Sequence, residues 1–479
     1  MGRLTRVGLC EGCVPVTQSK RMRVSSAAPW AILVGSAVLL PSLTAQAVEE
    51  GLDIYTEHPR LFLRPQRLRL LQRERDRRTT RWIQFETLMA GKAPMPEMGF
   101  AQALYYQVSG NEEAGKQAVR WALGPASDLR QLALVFDWCQ AALGEAQSKT
   151  LAAKIVKSMA ASERDKRLSA VRDRTLAAVA LAGHQNEVSG KQINWLANSW
   201  WRGEMVPGIK GGRDMVPRES VYALIEILHA VRDNTNVDFR DPVPGYFKGL
   251  PIFHLLTHYP ATFAAPEGEY RIPVAKGVRE PDLTIAAMSR AAELCMVAYD
   301  NNAPESQVLQ GWLMHDNFIM RGTLGVAYEF LWANPYQPGL SYYLVPLLFH
   351  DDMFGRLFIR TSWEENAKWL GYFDGELQYF DDGRPTILNP QLSLAPINLS
   401  EGVVMSASYA KKFKITLEEG ETLFVVALKP RQAYEIEVDD EEMREQVSDP
   451  GGILSIQLPA KVPIGVRMRE ARRQGQSPR

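Results

Sequence analysis

The densest group of chemically capable side chains lies between residues 195 and 233, WLANSWWRGEMVPGIKGGRDMVPRESVYALIEILHAVRD. Gly203, Gly208, Gly211 and Gly212 interrupt it, and Lys210, Arg213, Asp214 and Arg218 charge the interruption. A guanidinium can grip a carboxylate through two parallel hydrogen bonds, so Arg213 and Arg218 are candidate anchors for an acidic ligand. Glu219 follows at once, and Trp200 and Trp201 precede the glycines as flat apolar platforms. Glycine lets a chain pass close to a ligand. A phenol ordinarily loses its proton near pH ~10. Neighbouring guanidinium groups favour the phenolate, which makes Tyr222 a candidate base. Each side chain also has a plainer reading, as solvated loop charge, core tryptophan or packing tyrosine.

Other candidates are scattered. His184 and Asn186, in GHQNE, end a helix and supply a base and an amide, although a helix terminus explains them as well. His315 precedes Asp316 at what reads as a helix start, where Asp is usually a cap. His315 could also face the mouth of the helical domain. His254 and His258 have the i, i+4 spacing of a zinc pair. There is no evident third ligand and no HExxH glutamate, so neither a metal nor another cofactor is expected. Asp214 with Glu219, or Asp351 with Asp352, are carboxylate pairs of the glycosidase kind.

These residues need elements to position them. Val221, Leu224, Ile225, Leu228 and Val231 form a helical apolar stripe. Glu219, Tyr222, Glu226 and His229 share another face, which puts Tyr222 off the packed side, in the first turn beside the glycines. Amphipathic helical pieces recur to about Tyr343 and suggest paired antiparallel helices. Residues 234–282 read as a long connection with one short helix at 251–259. After His350, runs such as GRLFIRTSW, ETLFVVALKP and AYEIEVDD are bounded by turn residues, as antiparallel strands are. The expected fold is therefore mainly α with a β domain: helices over 48–350, a small antiparallel β-sandwich-like domain over 351–470, and a tail at 471–479.

The chain has 479 residues, with 55 basic and 55 acidic side chains. That balance leaves no global field to recruit nucleic acid or an anionic membrane. Residues 1–47 read as an export signal. Lys20, Arg21 and Arg23 precede the apolar run AILVGSAVLL, and Ala45-Gln46-Ala47 fits a small-x-small cleavage site. The run is far short of the roughly 20 apolar residues of a spanning helix. Periplasmic or extracellular residence is expected, with no stable membrane insertion after cleavage. Cys139 and Cys295, in apolar helical surroundings, read as buried free thiols.

Three stretches carry a resemblance to the heparinase II/III-like family of secreted polysaccharide lyases. HPRLFLRPQRLRLL looks like the family's lead-in to its helical toroid. LALVFDWCQAAL is similar to its helices of alternating small and aromatic residues, and RLFIRTSWEENAKWLGYFDG looks like the strand pair opening its β domain. The resemblance implies an incomplete α/α toroid followed by an antiparallel β domain, and β-elimination on a uronic-acid-containing polysaccharide. In that reaction a cation or amide neutralises the C5 carboxylate, Tyr or His removes the C5 proton, and an acid protonates the leaving oxygen. Tyr222, His184 and His315 are then the catalytic candidates. Asn186, Trp200, Trp201, Arg213, Arg218 and Glu219 would hold the anionic polysaccharide or oligosaccharide. The sequence departs from the family in one respect: no histidine follows His350, where active members carry a histidine-rich segment. A non-catalytic carbohydrate-binding protein and a glycoside hydrolase stand as alternatives.

Overall fold

The computed structural model describes residues 52–471, apart from 267, 317–319, 321, 393–394 and 440–442. The expected export signal at 1–47 and residues 472–479 of the tail lie outside the described residues. No helix among the described residues is long and apolar enough to cross a membrane.

An α-rich region precedes a β region. The first helices are α1 (Pro65–Asp76), α2 (Thr80–Ala90), α3 (Met98–Ser109), α4 (Glu112–Leu123), α5 (Leu129–Trp138), α6 (Glu145–Ala161) and α7 (Leu168–Leu181). They continue as α8 (Asn186–Asn194), α9 (Val206–Lys210), α10 (Val221–Thr235), α11 (Pro244–Leu256), α12 (Leu283–Tyr299), α13 (Pro304–His315) and α14 (Gly322–Trp332). Side-chain caps start several of them: Asn111 accepts from Ala114 N, Asp128 from Gln131 N, and Asp282 from Thr284 N. α3 packs on α5, α5 on α7, α7 on α10, α10 on α12 and α12 on α14, and α14 returns to α2 and α3. Helices enclosed in this way are buried on all faces, so any charged side chain on them needs a partner in the interior. Every residue of α5 is buried, and so is every residue of α10 from Val221 to Val231.

The strands are β1 (His258–Ala265), β2 (Gly268–Pro273), β3 (Leu348–Asp351), β4 (Arg356–Arg360), β5 (Trp369–Phe373), β6 (Glu376–Asp381) and β7 (Arg384–Leu388). Beyond them lie β8 (Ile397–Leu399), β9 (Gly402–Ser406), β10 (Lys412–Ile415), β11 (Thr422–Val426), β12 (Ala433–Val438), β13 (Arg444–Val447), β14 (Leu454–Ile456) and β15 (Ile464–Glu470). A five-stranded meander, β3-β4-β5-β6-β7, packs on a four-stranded sheet, β14-β11-β9-β8. That sheet's other face packs on the sheet β10-β15-β12-β13. Alternation along β4 shows how the layers form. Leu357 and Ile359 face Val404 and Phe424 of the middle sheet, while Phe358 faces Leu256 of α11 across Trp369. Trp369 Nε1 donates to Leu256 O at 2.8 Å and ties the β region to the helices.

Three local expectations need correction. The stretch read as one short helix at 251–259 is the end of a longer helix, α11, followed by the β1–β2 hairpin inside the helical region. The period-2 texture of HYPATFAA and GEYRIP carries that hairpin, and prolines and aromatics hid it. The β region holds a third sheet beyond a simple sandwich, and β9 and β11 run parallel. The middle sheet is covered on both faces, so its strands are continuously apolar (GVVM, LFVV) and carry no alternation to read. Finally, His315 ends α13 and opens no helix; Pro304 at the helix start sets the register and Asp316 is its C-cap.

Candidate functional site

A cleft of about 400 Å³ lies where the segment before α10 meets the β region. Asp214, Arg218 and Glu219 come from that segment, Phe253 from α11, and Arg356, Phe358 and Phe373 from the meander. The glycine loop is held against the β region. Gly212 has φ +70°, and a Cβ there would lie 2.4 Å from Met353 O. The close approach that glycine permits is thus to the protein's own backbone. Asp214 pairs with Arg356 at 2.5 Å. The Arg356 guanidinium also covers the rings of Phe253 at 5.4 Å and Phe354 at 5.3 Å. Glu219 is exposed at the cleft wall. Arg213 is exposed too, but is not among the residues that line the cleft.

Arg218 turns inward from the cleft. Its Nε donates to Ser289 Oγ at 3.2 Å, Nη1 to Thr257 Oγ1, and Nη2 to His258 Nε2 at 3.0 Å. Glu293 Oε1 lies 3.5 Å from Nη2. Guanidinium only donates, so His258 Nε2 must accept, and His258 Nδ1–H then donates to His254 O at 2.8 Å. Burial, helped by Arg218, pushes the His254 imidazole down to about 4 and His258 well below the usual histidine range. Both are uncharged at neutral pH. Burial, partly opposed by Glu293, also lowers Arg218 to about 10. The donors expected to grip a ligand carboxylate are committed to the protein.

Tyr222 joins a different network and is 2 % exposed. Its hydroxyl donates to Glu226 Oε1 at 2.8 Å and accepts from Trp332 Nε1 at 3.0 Å. Arg130 donates to the same Glu226 oxygen at 2.7 Å, and Arg172 Nη1 lies 3.3 Å from the other. Tyr328 donates to Glu97, which also accepts from Arg130 at 3.2 Å. Burial, reinforced by Glu226, raises the Tyr222 phenol well above its ordinary value and outweighs Arg130. The structure therefore corrects the expectation of a phenolate at a mouth. The face of α10 opposite the apolar stripe is interior as well, because α7 and α12 flank this helix.

His184 is exposed and meets partners that its local sequence did not signal. Asp137, fully buried on α5, accepts from the backbone N–H groups of Arg60 and Leu61 at 2.9 and 2.7 Å, and lies 2.5 Å from His58 Nδ1. His58 Nε2 is 2.7 Å from Arg60 Nη2 and 3.0 Å from His184 Nε2. The donor-only Arg60 again sets the tautomer: His58 Nδ1–H donates to Asp137 and its Nε2 accepts. Burial, with His58 and Arg60, lowers His184. A signal was present: a lone Asp within LALVFDW, or an Arg at the head of the same buried helix, demands a partner elsewhere in the fold. Asn186 Oδ1 accepts from Gly183 N at 2.7 Å and serves the turn before α8.

The remaining candidates are structural in their contacts. Trp200 and Trp201 are 4 % and 1 % exposed, and Trp201 stacks on Phe239 at 5.1 Å. They lie in a π-helical stretch, Trp195–Met205, which a 3.6-residue period does not describe. His315 is exposed beside Tyr342, with ring centres 5.6 Å apart. Cys139 and Cys295 are buried and free, and burial pushes the Cys139 thiol up to about 12.

No protein-family model matches the chain, and no curated protein matches it. Among solved structures, a chain named "Glycoside hydrolase" aligns at a TM-score of 0.32 and 10 % identity, over 85 % of this chain and 75 % of that one.

Proposed function

We propose that the protein is carbohydrate-active and that a glycan occupies the cleft between the helical and β regions. The observation that carries this reading is the meeting there of carboxylates, Asp214 and Glu219 with Asp374, and an apolar wall that includes Phe253, Phe358 and Phe373. Flat apolar walls suit the carbon face of a sugar ring, and a few polar groups fix its hydroxyls. Arg356 and Lys276 on the same walls favour an acidic glycan. The closed cycle of inner helices supports reading the helical region as an α/α toroid, and the leader at 1–47 supports export. Nucleic acid has no place in this reading.

Within it, hydrolysis fits the cleft better than elimination. Neither Tyr nor His is among the lining residues, so the available proton-transfer groups are carboxylates. In hydrolysis one carboxyl protonates the leaving oxygen while the other activates water or attacks the sugar. A uronate lyase remains the second reading, favoured by Arg356 and Lys276. In it Glu219 takes the C5 proton, the C5–H electron pair forms the C4–C5 double bond, and the C4–oxygen bond breaks with the leaving oxygen taking a proton from water. The test is incubation of the chain with neutral and uronate polysaccharides. New reducing ends without an ultraviolet chromophore support hydrolysis, and a new absorbing unsaturated end supports elimination. Binding with neither product leaves a carbohydrate-binding protein. No binding to any glycan overturns the proposal.

A further inference from the structure

Arg218 lines the cleft, and its partner His258 lines a second, narrower and more enclosed pocket together with Arg271 and Arg290. We propose that this second pocket binds a small aliphatic monocarboxylate, held by Arg290. The inference does not rest on the cleft reading.

The guanidinium of Arg290 is fixed in place. Its Nη2 donates to Asp316 at 2.5 Å, its Nε lies 3.6 Å from Glu293, and its plane covers Trp312 at 4.5 Å. Its Nη1 is buried without a hydrogen-bond partner among the described residues, and the residue is 8 % exposed. An unpaired donor on a buried cation is costly and is best relieved by an anionic acceptor. Arg271 adds charge rather than a free donor. Its Nη2 and Nε take Asp316 at 3.1 and 3.3 Å, and its Nη1 takes Pro260 O at 3.1 Å.

The charges around the pocket are mixed. Arg218, Arg271 and Arg290 face the buried Glu293 and the half-buried Asp316, and the buried Glu329 also acts on Arg290. Glu269 at the rim and Glu365 beside Arg271 are exposed, where water and salt screen them. The one unpaired donor on Arg290 suits a single small carboxylate better than a phosphate dianion, which calls for several donors. Ala286, Ala287, Met320 and Gly325 also line the pocket, which suits a short apolar tail. Ordered water is the competing occupant, because His254 Nε2 and Glu293 Oε2 also lack hydrogen-bond partners among the described residues.

Calorimetric titration of the full chain with acetate, in chloride-free buffer, tests the proposal, with propionate, glucuronate and glucose in parallel. Acetate or propionate is expected to bind at one site and glucose to give no heat there. Ala287→Leu fills the apolar wall without touching a charge, and Arg290→Lys keeps a cation for Asp316 while removing Nη1. Each should weaken acetate binding by roughly tenfold or more, with a cooperative melt retained in Ala287→Leu. Absence of acetate and propionate binding, or binding indifferent to Ala287→Leu, leaves water as the occupant and overturns the proposal. Binding of glucuronate in place of acetate overturns it too. Ala287 and Arg290 lie outside the cleft lining, so neither outcome decides the cleft reading.

Discussion

The Tyr222 hydroxyl donates to Oε1 of Glu226 at 2.8 Å, one turn further along α10. That bond makes the phenol a structural donor. Tyr222→Phe removes a donor to Glu226 and the acceptor of Trp332 Nε1, both in the interior. The expected cost is about 1–3 kcal/mol of stability, with turnover per folded molecule unchanged on whichever glycan is cleaved. Denaturant titration beside a kinetic assay checks it. Lost turnover at unchanged stability would return the phenol to the chemistry.

Glu226 itself should matter more. Burial acts to raise its pKa, yet Arg130 and Arg172 outweigh burial and hold it below the usual value. A depressed carboxyl stabilises the fold above its unfolded pKa and loses that contribution as pH falls through the folded one. Glu226→Gln leaves buried arginines without their anion, at an expected cost of about 3–5 kcal/mol near neutral pH. The variant's stability should also fall less steeply in the acid range below the ordinary value of 4.5. Urea melts from neutral to acid pH measure both effects.

Glu329 shows the opposite sign. Burial raises it from 4.5 to about 7, although Met320 N donates to its Oε2 at 2.8 Å and Arg81 and Arg290 act against the shift. Between these two values the unfolded chain is ionised while the native carboxyl keeps its proton. Stability therefore declines as pH rises through that window, by about 3 kcal/mol in all. Glu329→Gln should flatten the decline and stabilise the protein above it. Equal pH slopes for the two proteins would show that Glu329 does not carry it.

In the cleft, Asp214→Asn and Glu219→Gln should each lower turnover about 100-fold or more if these carboxylates move protons. Stability should change by less than about 1 kcal/mol, because both side chains are well exposed and surface pairs contribute little. Initial rates on the cleaved glycan, set beside thermal melts, separate the two effects. Unchanged turnover in both variants would remove the carboxylates from the reaction.

Local pattern revealed what local interactions decide. The β texture beyond His350 and the helical pieces before it were legible because each strand or helix carries its own period and turn residues. What failed depended on the environment of each face. The residues of α10 off the apolar stripe look solvent-facing only if the helix lies at a surface, and this one is flanked by α7 and α12. Trp200 and Trp201 share that error. The cleft gathers Asp214 and Glu219, two residues that sequence spacing had paired, with Arg356 and Phe373 from the meander, and no short-range signal joins those sets. The charged residues inside apolar helices, Arg130, Asp137, Glu226 and Glu293, were the unread clue, since each needed a partner to be buried.

Asp137 offers the sharpest test of such a partnership. One oxygen accepts from Arg60 N and Leu61 N, and the other faces His58 Nδ1 at 2.5 Å. In Asp137→Asn the amide oxygen must serve the two backbone N–H groups, which leaves the amide NH2 facing His58. His58 must then present a bare Nδ1 and carry its proton on Nε2. That proton would point at Arg60 Nη2, a donor-only group 2.7 Å away. The two donors repel, so His58 should turn out and its contact with His184 should break. The expected stability loss is about 1–3 kcal/mol, the cost of unsatisfied buried groups. Long-range proton–nitrogen NMR correlations of the histidine rings read the tautomer directly. The native protein should show His58 protonated at Nδ1 and a His184 titration shifted below the ordinary histidine range, as burial dictates. The variant should lose the His58 signature and move the His184 titration. Identical ring spectra before and after the substitution would show that Asp137 does not set the tautomer.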